Sequence, residues 1–129
     1  MVDINELEAW IAYAEEDLGS AKLLFKAKKP FFSAVCFHAQ QCSEKYLKAL
    51  LIFKDFDFPK THDLVTLDSM CNQNGIFTGF DTQQLADLTK HAVQTRYPGN
   101  QHTPEEAQEA IEIATTVRKF SRTYLGLKK

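Results

Sequence analysis

The chain is poor in the residues that break helices. Its 129 residues include only 5 Gly and 4 Pro. Long stretches between these breakers favour helix over strand-and-turn folds. Cysteine is also scarce. Cys36, Cys42 and Cys71 show no zinc or redox spacing and are odd in number; they are expected as reduced, mostly buried thiols of a cytoplasmic protein. The N-terminus has no cationic start followed by an apolar core, so no signal peptide is expected. No apolar run approaches the ~20 residues of a membrane span. Charge is nearly balanced, at −2, which disfavours a globally basic nucleic-acid binder. Glu-x-x-His, Gly-x-Ser-x-Gly and a phosphate-cradling Gly-rich loop are all missing, removing the simplest di-iron, serine-hydrolase and P-loop readings. Asp87 and His91 stand four apart, but one such pair does not make a metal site, and no cofactor is expected.

The length fits one domain, 1–129, able to bury a core without disulfides or metal. Asn5 is read as the N-cap of a helix reaching Lys28, with a stripe of Leu7, Ile11, Ala14, Leu18, Ala21 and Phe25. Pro30 ends it, and a second helix covers 31–53, so the pair forms an antiparallel hairpin. After a loop holding Pro59, Thr61 or Asp63 caps a short helix reaching about Cys71. A fourth helix is expected over 82–95, with Leu85, Leu88, Ala92 and Val93 inward. Arg96-Tyr97-Pro98-Gly99-Asn100-Gln101-His102 reads as loop. Thr103-Pro104-Glu105-Glu106 combines an N-cap, Pro at N1 and a capping-box Glu, opening a fifth helix to about Leu125.

The most informative stretch is 37–51. Val35, Ala39, Cys42, Tyr46, Ala49, Leu50 and Phe53 form its core stripe. Steps of about 100° gather Phe37, His38, Gln41, Lys45 and Lys48 on another side, a set that offers charge and hydrogen bonds to a ligand. The competing reading is that these lysines merely lie along an apolar edge. His62 opens the third helix, where the dipole favours a neutral imidazole. Arg96 and His102 pair a phosphate-matching guanidinium with a group titrating near neutral pH. Such a pair can cleave RNA without metal, or Arg96 and Tyr97 can simply pin the loop while His102 is a surface residue just before the Thr103 cap. Lysines 22, 26, 28 and 29 crowd the end of the first helix, and Arg118, Lys119, Arg122, Lys128 and Lys129 crowd the C-terminus. Both clusters suit the helix dipole.

Phe37-His38-Ala39-Gln40-Gln41 with Glu44-Lys45 and Leu47-Lys48-Ala49-Leu50, then Thr61-His62-Asp63-Leu64, then Arg96-Tyr97-Pro98, occur in an order that resembles the HEPN domain (higher eukaryotes and prokaryotes nucleotide-binding) over nearly the whole chain. Asp17-Leu18, Ala21 and Glu105-Glu106-Ala107 also fit. The resemblance implies an all-α, up-and-down bundle of four long helices plus one short helix, usually a homodimer. It implies a small prokaryotic protein, often paired with a minimal nucleotidyltransferase in a toxin–antitoxin module. The expected function is binding of a nucleotide or of that partner through His38, Gln41, Lys45, Lys48, His62, Arg96 and Tyr97. A second reading is a metal-independent endoribonuclease using Arg96-x5-His102, as some members do with an Arg-x4-6-His motif. Those members commonly carry a polar residue after the arginine; here Tyr97 follows, and Pro98-Gly99 breaks any helix between the pair. A third reading is a non-catalytic interaction bundle. The number of apolar residues such as Phe31, Phe32 and Phe37 supports association.

Overall fold

The computed structural model describes residues 2–94 and 101–128. These residues form five helices and no strand: α1 (Ile4–Phe25), α2 (Phe32–Phe53), α3 (Leu64–Gln73), α4 (Thr82–Gln94) and α5 (Pro104–Tyr124). The fold is all-α, as expected.

Helix ends follow local chemistry. Asp3, not Asn5, caps α1, with its carboxylate accepting from Asn5 N at 2.9 Å and Glu6 N at 3.2 Å. Asp and Asn are equivalent caps, but Asp adds a negative charge at the positive dipole end. α1 stops at Phe25 rather than Lys28. The chain must reverse before Pro30, whose ring disfavours helix in the residue before it. Asp63 rather than Thr61 caps α3, accepting from Val65 N. The Thr103–Glu106 capping box forms in both directions, at 3.1 and 2.8 Å. α3 and α5 end in left-handed Gly75 and Gly126 (φ 85° and 75°), followed by Ile76 N→Cys71 O and Leu127 N→Arg122 O hydrogen bonds. A side chain at either glycine would strain this closure.

α1 and α2 are antiparallel: contacts Phe25–Phe32, Asp17–His38 and Glu15–Tyr46 climb one helix while descending the other. α2 is the central element and touches all four other helices. Thirteen of its 22 residues are buried, more than one amphipathic stripe supplies. The core gathers Tyr46, Leu47, Leu50 and Leu51 of α2 with Leu64 and Leu67 of α3, Leu85 and Leu88 of α4, and Val117 of α5. Leu7, Ala14, Leu18 and Ala21 of the α1 stripe are buried, and Ile11 and Phe25 pack at its margin. Phe53, read as a core residue, is 41% exposed and rests edge-on against Tyr124. It lies on the last turn of α2, past the end of the core. Val93, Arg96 and Tyr97 fall where side chains lie outside the described residues. The α3–α4 connection is tied back by Thr78, whose hydroxyl donates to buried Asp68 and whose backbone N donates to Asn72 Oδ1 at 3.1 Å.

Candidate functional site

The polar face of α2 divides into two carboxylate-centred clusters. In the first, Asp17 of α1 is 9% exposed and meets two α2 side chains. Its Oδ1 lies 2.9 Å from His38 Nδ1, and its Oδ2 accepts from Lys45 Nζ. An ionised carboxylate only accepts, so His38 donates Nδ1–H to it. Lys45 Nζ also stands 5.8 Å above the Tyr13 ring, itself 59% exposed.

In the second, Glu44 is 3% exposed and accepts from three groups. Lys48 Nζ donates to Oε2 at 3.0 Å, and Oε1 takes His62 Nδ1 at 2.8 Å and Gln40 Nε2 at 3.2 Å. Gln40 also donates to the His62 carbonyl at 2.8 Å and accepts from Gln41 at 2.8 Å. The Lys48 ammonium sits 5.5 Å from the Trp10 ring and 5.4 Å from Phe58, an aromatic cradle for a desolvated cation. The structure thus places Gln41, Lys48 and His62 in one network and His38 and Lys45 in another. Most of these charges are compensated within the molecule.

His102 occupies a third site, two residues before the start of α5. It is 8% exposed although it directly precedes the exposed Thr103 cap. Its Nδ1 lies 2.8 Å from Ser33 Oγ in the first turn of α2. Its ring packs edge-on against His91 of α4 at 5.1 Å, and His91 Nε2 stands 3.5 Å from Glu106 Oε2. Among the described residues, the buried His91 Nδ1 and His102 Nε2 have no hydrogen-bond partner. Burial, then the neighbouring His91 ring, push His102 below its ordinary pKa; Glu106 and the His91 backbone pull weakly the other way. The neutral imidazole is therefore favoured near neutral pH. His102 also borders a cavity of about 500 Å³ with Pro30, Phe31, Phe32 and Gln101. Arg96 and Tyr97, its sequence partners, lie outside the described residues. Asp87 does not join His91: it accepts from Gln83 at 2.9 Å.

Sequence reasoning missed the partners rather than the cations. Asp17, Glu44, Trp10, Phe58, Ser33 and His91 carried no assigned role. Within the network only Gln40–Glu44 and Glu44–Lys48, at helical i,i+4 spacing, were readable as contacts. Two C-terminal arginines are also absorbed: Arg118 donates to both Glu15 oxygens at 2.7 and 2.9 Å, and Arg122 donates to Tyr46 Oη at 3.3 Å. Burial alone would raise the Glu15 pKa, but hydrogen bonds from Arg118 and Tyr46 outweigh it and hold the carboxyl low. The three thiols are free and buried, and burial pushes Cys36 and Cys71 up to about 12. Among the described residues no cluster of three metal-ligating side chains occurs, and no helix is long and apolar enough to cross a membrane.

Three comparisons bear on this architecture. The chain is 26% identical to "Putative toxin MJ1304" of Methanocaldococcus jannaschii, over 98% of this chain and 95% of that protein. Its fold superposes on the crystal structure of TT1696 from Thermus thermophilus with a TM-score of 0.76 at 21% identity, covering 93% of this chain and 98% of that one. It superposes on ST0689, an archaeal HEPN homologue, with a TM-score of 0.68 at 25% identity, covering 92% and 97%. The HEPN domain matches residues 7–124, which take in all five helices but the first turn of α1. The chain belongs to the HEPN domain family.

Proposed function

We propose that this chain is a toxin-type HEPN module, one domain over its full length, that acts on RNA as a metal-independent endoribonuclease through Arg96 and His102. The observation that carries this reading is the setting of His102. Its imidazole is kept neutral by burial, its Nδ1 already bonds a hydroxyl at 2.8 Å, and it borders a cavity of about 500 Å³. A ribose 2′-hydroxyl would take the place of Ser33 Oγ at this nitrogen. His102 accepts its proton, the 2′-oxygen attacks phosphorus, and the phosphorus–5′-oxygen bond breaks. The leaving oxygen takes a proton from water, and His102 returns its proton to the hydroxide so formed, giving a 2′,3′-cyclic phosphate, a 5′-hydroxyl end and the neutral imidazole again. Arg96 holds the charge that develops on the phosphate. The toxin designation of the Methanocaldococcus relative supports this reading. So does the compensated charge of the α2 face, which leaves little cationic capacity there for a phosphate. A minimal nucleotidyltransferase partner and a homodimer complete the proposed toxin–antitoxin arrangement.

The test is RNA cleavage in chelator by wild type, Arg96→Ala and His102→Gln, with circular dichroism confirming helical content. Cleavage by wild type alone, with cyclic-phosphate ends, is expected. Cleavage that survives both changes would refute the assignment.

A second reading, binding of a nucleotide or of the partner on the α2 face, has one observation in its favour. The exposed Tyr13 ring beside Lys45 offers a stacking surface next to a cation, with His38 on the same Asp17 carboxylate. Lys45→Ala should then weaken nucleotide binding in a calorimetric titration; unchanged affinity would discard this face.

A further inference from the structure

The tip of the α1–α2 hairpin remains unused by the chemistry above, yet it forms a wall of the His102 cavity. Lys26, Lys28 and Lys29 are exposed and have no carboxylate at ion-pair distance among the described residues. This contrasts with Lys45, Lys48 and Arg118, which are neutralised by Asp17, Glu44 and Glu15. Phe31 follows immediately and is 61% exposed, with its backbone at the N-cap of α2. Ser33, two residues on, joins this tip physically to His102. Lys28 and Lys29 directly precede Pro30, and Pro30 and the open Phe31 ring line the cavity that His102 borders. Among the described residues the His102 cavity has no carboxylate in its lining; Glu105, Glu109 and Glu112 of α5 line a neighbouring groove with Phe25, which packs on Phe32 at 6.0 Å.

We propose that this hairpin tip is the substrate-positioning subsite for single-stranded RNA. Lys28 and Lys29 track the phosphates flanking the cleaved bond, and Phe31 stacks one unpaired base. This rests on the ribonuclease reading for its role, but not for its test. An exposed phenyl ring can stack a base that is already unpaired, whereas duplex bases are stacked on one another; this sets the preference for single strands. Each lysine–phosphate contact adds to the salt dependence of binding, by about 0.7 in the log–log slope for single strands.

Binding is measured by fluorescence anisotropy in a His102→Gln background, with a labelled single-stranded RNA of mixed sequence at several salt concentrations. Lys28→Ala/Lys29→Ala should reduce the slope by about 1.4. Phe31→Ala should weaken binding roughly 5- to 100-fold, with recovery in Phe31→Trp. These side chains are exposed, so unchanged melting temperatures separate binding loss from unfolding. The same changes should raise KM in the cleaving enzyme more than they lower kcat. Slopes and affinities that do not move, or equal competition by a duplex of the same sequence, would overturn the subsite. If the variants weaken binding but wild type never cleaves, the subsite stands and the ribonuclease reading falls. If wild type cleaves and the variants bind normally, the reverse holds.

Discussion

Removing the buried carboxylate of Glu44 should cost more stability than removing an exposed or half-buried charge. Glu44 and Lys48 are 4% and 8% exposed at the side chain. Glu44→Ala leaves the Lys48 ammonium with only the faces of Trp10 and Phe58, at 5.5 and 5.4 Å. Each face is worth on the order of 0.5–2 kcal/mol and cannot replace a carboxylate. His62 loses little, because its side chain is 75% exposed and turns to water. Gln40 keeps its bond to the His62 carbonyl at 2.8 Å. The penalty therefore comes chiefly from one uncompensated buried cation, about 3–5 kcal/mol. Urea denaturation of wild type, Glu44→Ala, Lys48→Met and Glu44→Leu/Lys48→Met would measure it. The double variant, which buries no charge, should return to within about 1 kcal/mol of wild type. A Glu44→Ala cost under about 1 kcal/mol, or a double variant equal to the sum of the singles, would refute the argument.

Three further outcomes follow from features on other elements. The folded pKa of His102 lies below its ordinary value of 6.5, so the unfolded chain binds that proton more readily. Stability should be full above about pH 6.5, decline as pH falls through that value, and level off below the folded value. Denaturation midpoints across pH should show this slope, and His102→Gln should remove its share. Glu15 is held low by Arg118 and Tyr46, so its contribution should be present above the ordinary 4.5 and be lost at more acid pH; Glu15→Gln should blunt acid unfolding in circular dichroism. Thr103→Ala should cost about 1 kcal/mol in chemical denaturation through loss of one arm of the capping box. Retained stability would show that Pro104 and Glu106 suffice.

The helices were legible because their boundaries are written in short-range chemistry. Pro30, Pro59 and Gly75 separate the apolar stripes, and Thr103-Pro104-x-Glu106 specifies its own cap. Boundaries slipped where two neighbouring residues could do the same work, as with Asp3 and Asn5. The α2 cations were legible as a face, because helical period alone groups them. Their division was not. Lys45 and Lys48 are three apart, yet one turns to Asp17 on another helix and the other to Glu44 on its own. Choosing between them depends on how α1 packs against α2, which no local pattern encodes. The burial of His102 was missed for a similar reason. A residue next to an exposed cap looks like surface until α4 and the first turn of α2 close over it.

The central placement of α2 has a consequence for the order in which the molecule comes apart. With 13 of its 22 residues buried and all four other helices against it, α2 shows solvent along its middle turns only a narrow, half-buried polar strip through His38, Gln41 and Lys45. Its amide protons can reach deuterated solvent only when its neighbours have already left, so their exchange should report global unfolding rather than local opening. α4 and α5 each keep an open face and can open on their own account. Motion that opens the cavity beside His102 then falls to the layers around α2, while α2 itself stays as the fixed frame against which they move.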